Sequence, residues 1–116
     1  MPNKGSVLQT GGQLFKDDFL LSPSGQYQCV LQEDGNLVIY DLRNNHSGIW
    51  ASHTDGKAVN MAIMQSDGNF VIYGFPNPVF STNTAGHGPA VIQMQDDGNL
   101  VVYQIAAPQW DSRSHP

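Results

Sequence analysis

Three times along the chain a glutamine, an aspartate, an asparagine, a valine and a tyrosine stand at every second position in that order. They are Gln32, Asp34, Asn36, Val38 and Tyr40, then Gln65, Asp67, Asn69, Val71 and Tyr73, then Gln95, Asp97, Asn99, Val101 and Tyr103. An ionised Asp only accepts hydrogen bonds, Asn and Gln donate and accept, and Tyr offers a hydroxyl on an apolar ring. The valine among them supplies a patch for C–H bonds. The mixture suits a small neutral ligand with adjacent hydroxyls and one apolar edge, which describes a sugar. A charged ligand would need an opposing charge cluster, and a flat apolar one more apolar area than a single valine gives. Asp-Gly-Asn is also a common turn, so Asp34 and Asn36 alone could be turn formers. The turn requires neither Gln nor Tyr, and both return in every copy.

The elements that carry these residues follow from the longer repeat around them. Gln32 to Tyr40, Gln65 to Tyr73 and Gln95 to Tyr103 begin 33 and 30 residues apart. A second echo follows each copy: Ile49-Trp50-Ala51-Ser52-His53-Thr54, Val79-Phe80-Ser81-Thr82-Asn83-Thr84 and Gln109-Trp110-Asp111-Ser112-Arg113-Ser114. The 116 residues therefore form a single domain, 1–116, of three repeats with motifs at 32–40, 65–73 and 95–103, preceded by a lead-in to Leu31. Each unit alternates apolar and other residues and is rich in β-branched and aromatic types, the pattern of strands. Asp-Gly between two apolar runs predicts a hairpin. A three-residue loop, Glu33-Asp34-Gly35, sets Gln32 opposite Asn36 and keeps the period of two in step, with glycine in the left-handed conformation. One face then carries Cys29, Leu31, Leu37 and Ile39; Ala62, Met64, Phe70 and Ile72; or Ile92, Met94, Leu100 and Val102. That apolar face is assigned to a shared core, and the five polar-patterned positions to the outside. An isolated hairpin is barely stable, so the units must share an interior. Trp50, Phe80 and Trp110 hold equivalent places and are expected to fill its centre. Ser22 to Gly25 and Gly74 to Pro78 read as turns, and no segment has a convincing helical period.

Composition removes other classes. Only 13% of residues are charged, and the five Lys and Arg against ten Asp and Glu cannot make the basic footprint of a nucleic-acid binder or an anionic-membrane binder. The longest apolar runs are too short to insert into a bilayer. Met-Pro-Asn-Lys-Gly lacks the apolar stretch of a secretory signal. Cys29 is the single cysteine, so no internal disulfide is possible. Catalysis is not expected. Glycoside hydrolysis needs two carboxylates about 5–10 Å apart, each outward face has one Asp, and Asp96 should point away from Asp97 or into the loop. His46, His53, His87 and His115 have no Ser, Cys or Asp at catalytic spacing, and His53 is expected at the surface. Asp-Gly-Asn lacks the further acids of a calcium loop, so neither metal nor cofactor is expected. Asn45-His46-Ser47 is a glycosylation sequon, relevant only to a secreted chain.

The Gln-x-Asp-x-Asn-x-Val-x-Tyr pattern, met three times, resembles the signature of the monocot-type (bulb-type, snowdrop-lectin-like) mannose-binding lectins. Leu8, Gly11 or Gly12, Leu14, Leu20, Gly25 and Tyr27 in the lead-in, and the Trp-Ala-Ser-x-Thr segments, are similar to that family too. The resemblance implies an all-β fold, the β-prism II: three four-stranded antiparallel sheets about a pseudo-threefold axis, with one sugar site per sheet. It implies that Asp34 and Asn36 bind the axial hydroxyl on carbon 2 of mannose, Gln32 that on carbon 3 and Tyr40 that on carbon 4, while Val38 packs on the carbon 3–carbon 4 edge. Gln65, Asp67, Asn69, Val71 and Tyr73 would do the same, as would Gln95, Asp97, Asn99, Val101 and Tyr103. The implied partners are mannose and mannose-containing glycans or glycoproteins. A homodimer through C-terminal strands is a further implication, with the tail from Trp110 to Pro116 short but present. The chain departs from the plant members in holding Gly35 and residues near Ala62 where a disulfide usually lies, and Phe80 where Trp is usual. It is similar in this to the disulfide-free fish mucus lectins, which implies an extracellular or mucus-associated defence role as an agglutinin. The missing signal leaves a cytoplasmic location open as well. The alternative is a protein-binding module that kept the fold and does not use sugar.

Overall fold

A computed structural model describes residues 3–75, 77–86 and 88–104 and the backbone of 108–111, and among the described residues the regular structure is twelve strands with no helix. In chain order they are β1 (Val7–Leu8), β2 (Gln13–Leu14), β3 (Phe19–Leu21), β4 (Tyr27–Leu31), β5 (Leu37–Asp41), β6 (Ser47–Ala51), β7 (Met61–Met64), β8 (Phe70–Tyr73), β9 (Pro78–Ser81), β10 (Ala90–Met94), β11 (Leu100–Gln104) and β12 (Pro108–Asp111). They form three four-stranded antiparallel sheets with the orders β3-β4-β5-β6, β2-β7-β8-β9 and β1-β10-β11-β12. This is the β-prism II architecture that the resemblance implies.

Each sheet takes three consecutive strands from β4–β6, β7–β9 or β10–β12, and the stretch before Tyr27 supplies the fourth strand of all three. Leu20 pairs with Cys29, Leu14 with Ala62 and Leu8 with Ile92. Three leucines spaced six residues apart thus take equivalent places, and all three are buried. The segment before β4 is itself a compressed threefold repeat, one two- or three-residue strand per sheet.

Each hairpin has the predicted three-residue loop. Leu31 pairs with Leu37, Met64 with Phe70 and Met94 with Leu100, and the backbone N–H of Gln32 donates to the Asn36 carbonyl at 2.9 Å. Gly35, Gly68 and Gly98 close their loops with φ of 92°, 92° and 85°, a region costly for any residue with a Cβ. Because the loop is odd, the period of two passes through the turn unbroken. All twelve residues assigned to the inward face lie in one core cluster, completed by Leu8, Leu14, Leu20, Tyr27, Val59 and Ala90.

Trp50 and Phe80 of the second echo do not fill the centre. Trp50 and Phe80 meet edge to face, with centroids 5.8 Å apart and planes at 73°. They are only partly buried and pack against the aliphatic core rather than within it. The interior is aliphatic and methionine for the most part, with Phe70 and Tyr27 as its aromatic members. Trp110 holds the equivalent register position, opposite Val102 as Trp50 is opposite Ile39 and Phe80 opposite Ile72, and its side chain lies outside the described residues.

Candidate functional site

In each sheet the central strand and the loop before it bring the five repeated residues onto the outward face. For the first copy, β5 presents Val38 and Tyr40, the loop presents Asp34 and Asn36, and the end of β4 leads into Gln32. The second copy is arranged the same way on β7 and β8, and the third on β10 and β11.

The same local hydrogen bonds recur in all three. One carboxylate oxygen of the loop aspartate accepts from the backbone N–H two residues on: Asp34 from Asn36 at 2.9 Å, Asp67 from Asn69 and Asp97 from Asn99 at 3.0 Å. That bond fixes the carboxylate and commits one of its oxygens. The glutamine and tyrosine are tied across the face. The Gln32 and Gln95 amide nitrogens donate to the Tyr40 and Tyr103 hydroxyls. In the second copy Gln65 and Tyr73 meet in the same way, and with the Gln65 amide turned to satisfy its neighbours its oxygen accepts from the Tyr73 hydroxyl while its nitrogen donates to the two Asp67 oxygens at 3.1 and 3.3 Å. The aspartates are exposed at the loop tips, and the glutamines and tyrosines are half-buried. The valine is more deeply set than an outward position suggests: Val38 is 7% exposed and Val71 and Val101 are 3%. It forms the floor of the face, with the polar groups as its rim.

The asparagine is held by residues of the second echo. Asn36 Oδ1 accepts from Ser52 Oγ and from the Thr54 backbone N–H, both at 3.2 Å. Asn69 Oδ1 accepts from Thr82 Oγ1 and the Thr84 N–H, again at 3.2 Å. Ser52 and Thr54 share a hydroxyl bond at 2.7 Å, and Thr54 Oγ1 donates to the Gly35 carbonyl at 2.6 Å. Thr82, Thr84 and Gly68 repeat the pair, at 2.8 and 2.6 Å. These clips after β6 and β9 fasten the loop tip and orient the amide. With its oxygen taken, the nitrogen is the donor that remains beside the second oxygen of the aspartate. The middle clip residues, His53 and Asn83, stand at φ of 60° and 58°, a region to which His and Asn are well suited. The signal was in the sequence as Ser-His-Thr and Thr-Asn-Thr at matching places. The third counterpart, Ser112-Arg113-Ser114, lies outside the described residues.

The remaining sequence expectations are placed as follows. Asp96 turns from its neighbour Asp97 and accepts from the Ser24 N–H at 2.8 Å, a bond that holds its carboxyl below the usual carboxylate range. Each outward face therefore keeps one carboxylate. Among the described residues no group of three or more His, Cys, Asp or Glu could hold a metal ion. His46 and His53 are exposed; His87 and His115 lie outside the described residues. Cys29 is buried, and desolvation pushes its thiol up to about 12, which makes it an inert core residue.

A cleft of about 310 Å³ lies over the second face, lined by Gln65, Asn69, Val71, Tyr73, Pro78, Phe80 and Ser81. It is shallow and open to water. What it offers is a fixed donor and a fixed acceptor side by side, an amide and a hydroxyl a short way along, and an apolar floor.

No protein-family model matches the chain, and no curated protein does. Solved structures do. A monomeric monocot mannose-binding lectin from Gastrodia elata is 33% identical, with a TM-score of 0.84 over 96% of this chain and 99% of its own. The mannose-specific agglutinin from snowdrop (Galanthus nivalis) bulbs, complexed with methyl-α-D-mannoside, is 33% identical with a TM-score of 0.76 over 96% and 98%. A domain-swapped lectin dimer from Mycobacterium smegmatis is 40% identical with a TM-score of 0.55 over 90% and 95%.

Proposed function

We propose, on the premise that this chain belongs to the bulb-type mannose-binding lectin family, that it binds mannose at three sites, one on each sheet, without a metal ion. It is a carbohydrate-binding lectin and not an enzyme. The observation that carries the three-site reading is the repetition of one hydrogen-bonded arrangement on three faces. The axial hydroxyl on carbon 2 would lie between Asp34 and Asn36, donating to the free carboxylate oxygen and accepting from the amide nitrogen. Gln32 would take the hydroxyl on carbon 3 and Tyr40 that on carbon 4, with the ring edge on Val38. Gln65, Asp67, Asn69, Val71 and Tyr73, and Gln95, Asp97, Asn99, Val101 and Tyr103, would do the same. Glucose carries its carbon 2 hydroxyl equatorially and would leave the Asp–Asn pair unsatisfied, a loss of about 1–3 kcal/mol.

Single shallow sites are weak, and function then depends on number. Three sites per chain, doubled in a homodimer through the C-terminal strands, would raise apparent affinity about 10²–10⁴-fold on dense glycans. A dimer is supported by the mycobacterial neighbour, while the Gastrodia neighbour is monomeric. Of the stretch that would be exchanged here, the backbone of β12 pairs with β11 of the same chain, and 112–116 lies outside the described residues. Agglutination of mannose-rich cells or glycoproteins, in an extracellular or mucus-associated defence role, is the activity such a molecule would have.

The test is retention on mannose-agarose, in EDTA, of the wild type against the triple variant Asp34→Asn, Asp67→Asn and Asp97→Asn. An Asn side-chain oxygen can still accept the loop N–H, so the fold is kept while the charged acceptor is lost. Retention of the wild type alone is expected. Equal retention of both, or of neither, favours a protein-binding module on the same fold.

A further inference from the structure

We infer that Asp96 is a positioning residue of the third sugar site: by accepting the Ser24 N–H of the turn between β3 and β4, it fixes the loop that carries Asp97. This rests on the mannose reading of the five-residue faces. It comes from a break in the threefold symmetry. β1 and β2 join their sheets far from their sequence neighbours, while β3 alone is followed directly by the strand it pairs with. Its turn, Ser22 to Gly25, has no equivalent in the other two sheets. β10 lies against both β3 and β4, and this brings the turn to the tip of the third loop.

The turn is a stiff frame. Ser22 is 2% exposed. Its N–H donates to the Tyr27 carbonyl at 2.9 Å, its carbonyl accepts from the Gly25 N–H at 2.8 Å, and its hydroxyl oxygen accepts from the Tyr27 N–H at 3.1 Å. Ser24 Oγ accepts from the Gln26 N–H at 3.3 Å. These bonds leave the Ser24 N–H over, and it donates to Asp96 Oδ1 at 2.8 Å across 72 residues of chain. The Ser24 and Ser22 hydroxyls and the Arg43 charge also favour the ionised Asp96 carboxyl. The site carboxylate itself is close by. Burial first, then the charges of Asp41 and Asp97, push the Tyr27 hydroxyl up.

Asp96 and Asp97 are consecutive in a three-residue loop that Gln95 and Gly98 close, through the Gln95 N–H to the Asn99 carbonyl at 3.0 Å and the Gly98 N–H to the Gln95 carbonyl at 3.1 Å. Little freedom remains in such a loop, so tying residue 96 to the frame also sets the direction of Asp97. The first two loops carry Glu33 and Ser66 at this place. Both are exposed and hold no side-chain hydrogen bond among the described residues. Their tips are fastened from the other direction, by the Gly56 N–H to the Asp34 carbonyl at 2.8 Å and the Gly86 N–H to the Asp67 carbonyl at 2.9 Å. The third loop is tied to the start of the chain.

NMR titration of the full chain with methyl α-D-mannoside tests this, read at the side-chain amides of Asn36, Asn69 and Asn99, one reporter for each site. Asp96→Ala should weaken the third site about three- to tenfold, the effect of losing one hydrogen bond that pre-orders a binding loop. The first two sites should keep their affinity. Asp96→Asn retains an acceptor oxygen at the same reach and should restore the third site. Glu33→Ala and Ser66→Ala, the same truncation in the other loops, should leave Asn36 and Asn69 titrating as in the wild type. The Ser24 amide gives a readout that needs no sugar: its hydrogen exchange should quicken in Asp96→Ala and stay slow in Asp96→Asn. A third site unmoved by Asp96→Ala, an equal fall at all three sites, or no rescue by Asp96→Asn overturns the positioning role and leaves the mannose reading standing. No response from any reporter in the wild type removes both.

Discussion

Replacing Thr54 by valine removes one hydroxyl and almost nothing else, which makes it a sharp probe of the clip that holds the first loop. Thr54 is 2% exposed. Its hydroxyl donates to the Gly35 carbonyl at 2.6 Å and pairs with Ser52 Oγ at 2.7 Å. Valine fills the same volume and leaves the buried Gly35 carbonyl without its donor. A buried polar group so stranded costs about 1–3 kcal/mol. Ser52 keeps its bonds to the Leu37 N–H and to Asn36 Oδ1, so the loss stays near one group rather than two. For a chain of this size about 1 kcal/mol shifts the unfolding midpoint by about 4 °C, and a fall of about 4–12 °C is expected by circular dichroism. Asn36 keeps its bonds to Ser52 Oγ and the Thr54 backbone N–H, but the loop that carries it is loosened at Gly35, so mannose binding at the first site should weaken several-fold while the second and third sites keep theirs. Thr84→Val, which breaks the equivalent bond to Gly68, should reverse the pattern between the first two sites. An unchanged midpoint together with unchanged binding at the first site would refute the clip.

Two other outcomes follow from the geometry. Gly35→Ala places a Cβ 2.5 Å from the Lys57 carbonyl oxygen at φ of +92°, so it should cost more than Gly25→Ala, where φ is +80° and nothing lies within 4 Å. The latter bears only the left-handed penalty of about 1–2 kcal/mol, and urea unfolding of the two variants gives the comparison. Cys29 keeps its proton in the folded chain up to about 12, against 9.0 when unfolded. Its contribution to stability is therefore whole below pH 9 and falls as pH rises through the interval to 12, on the order of 1 kcal/mol per pH unit. Cys29→Ala should flatten that part of the stability–pH curve, and the native thiol should resist iodoacetamide at pH 8 until urea is added.

The repeat made most of this legible. Asp-Gly between alternating runs, and the need to keep Leu31, Leu37 and Ile39 on one face, settled both the loop length and the core side of each hairpin, because a one-residue slip would turn every side chain over. Strands of two residues hold no alternation to read, so Val7–Leu8 and Gln13–Leu14 were invisible as strands; the spacing of Leu8, Leu14 and Leu20 was their trace. Trp50 and Phe80 were assigned by type, and large aromatics favour cores, but a bulge in the register beside Ile39 and Ile72 leaves them at the rim, where Trp50 lines the cleft beside Val38. The roles of Ser52, Thr54, Thr82 and Thr84 depend on bonds between segments up to 19 residues apart, and no local pattern announces such bonds.

The central claim is that three outward faces read one hydroxyl pattern, and a crystal soaked in methyl α-D-mannoside addresses it most directly. The expected map shows a pyranose over Val38, Val71 and Val101 alike, each with its carbon 2 hydroxyl seated between the aspartate and the asparagine. Sugar bound elsewhere on the molecule with these faces bare, or a ring turned so that the Asp–Asn pairs meet no hydroxyl, would contradict it.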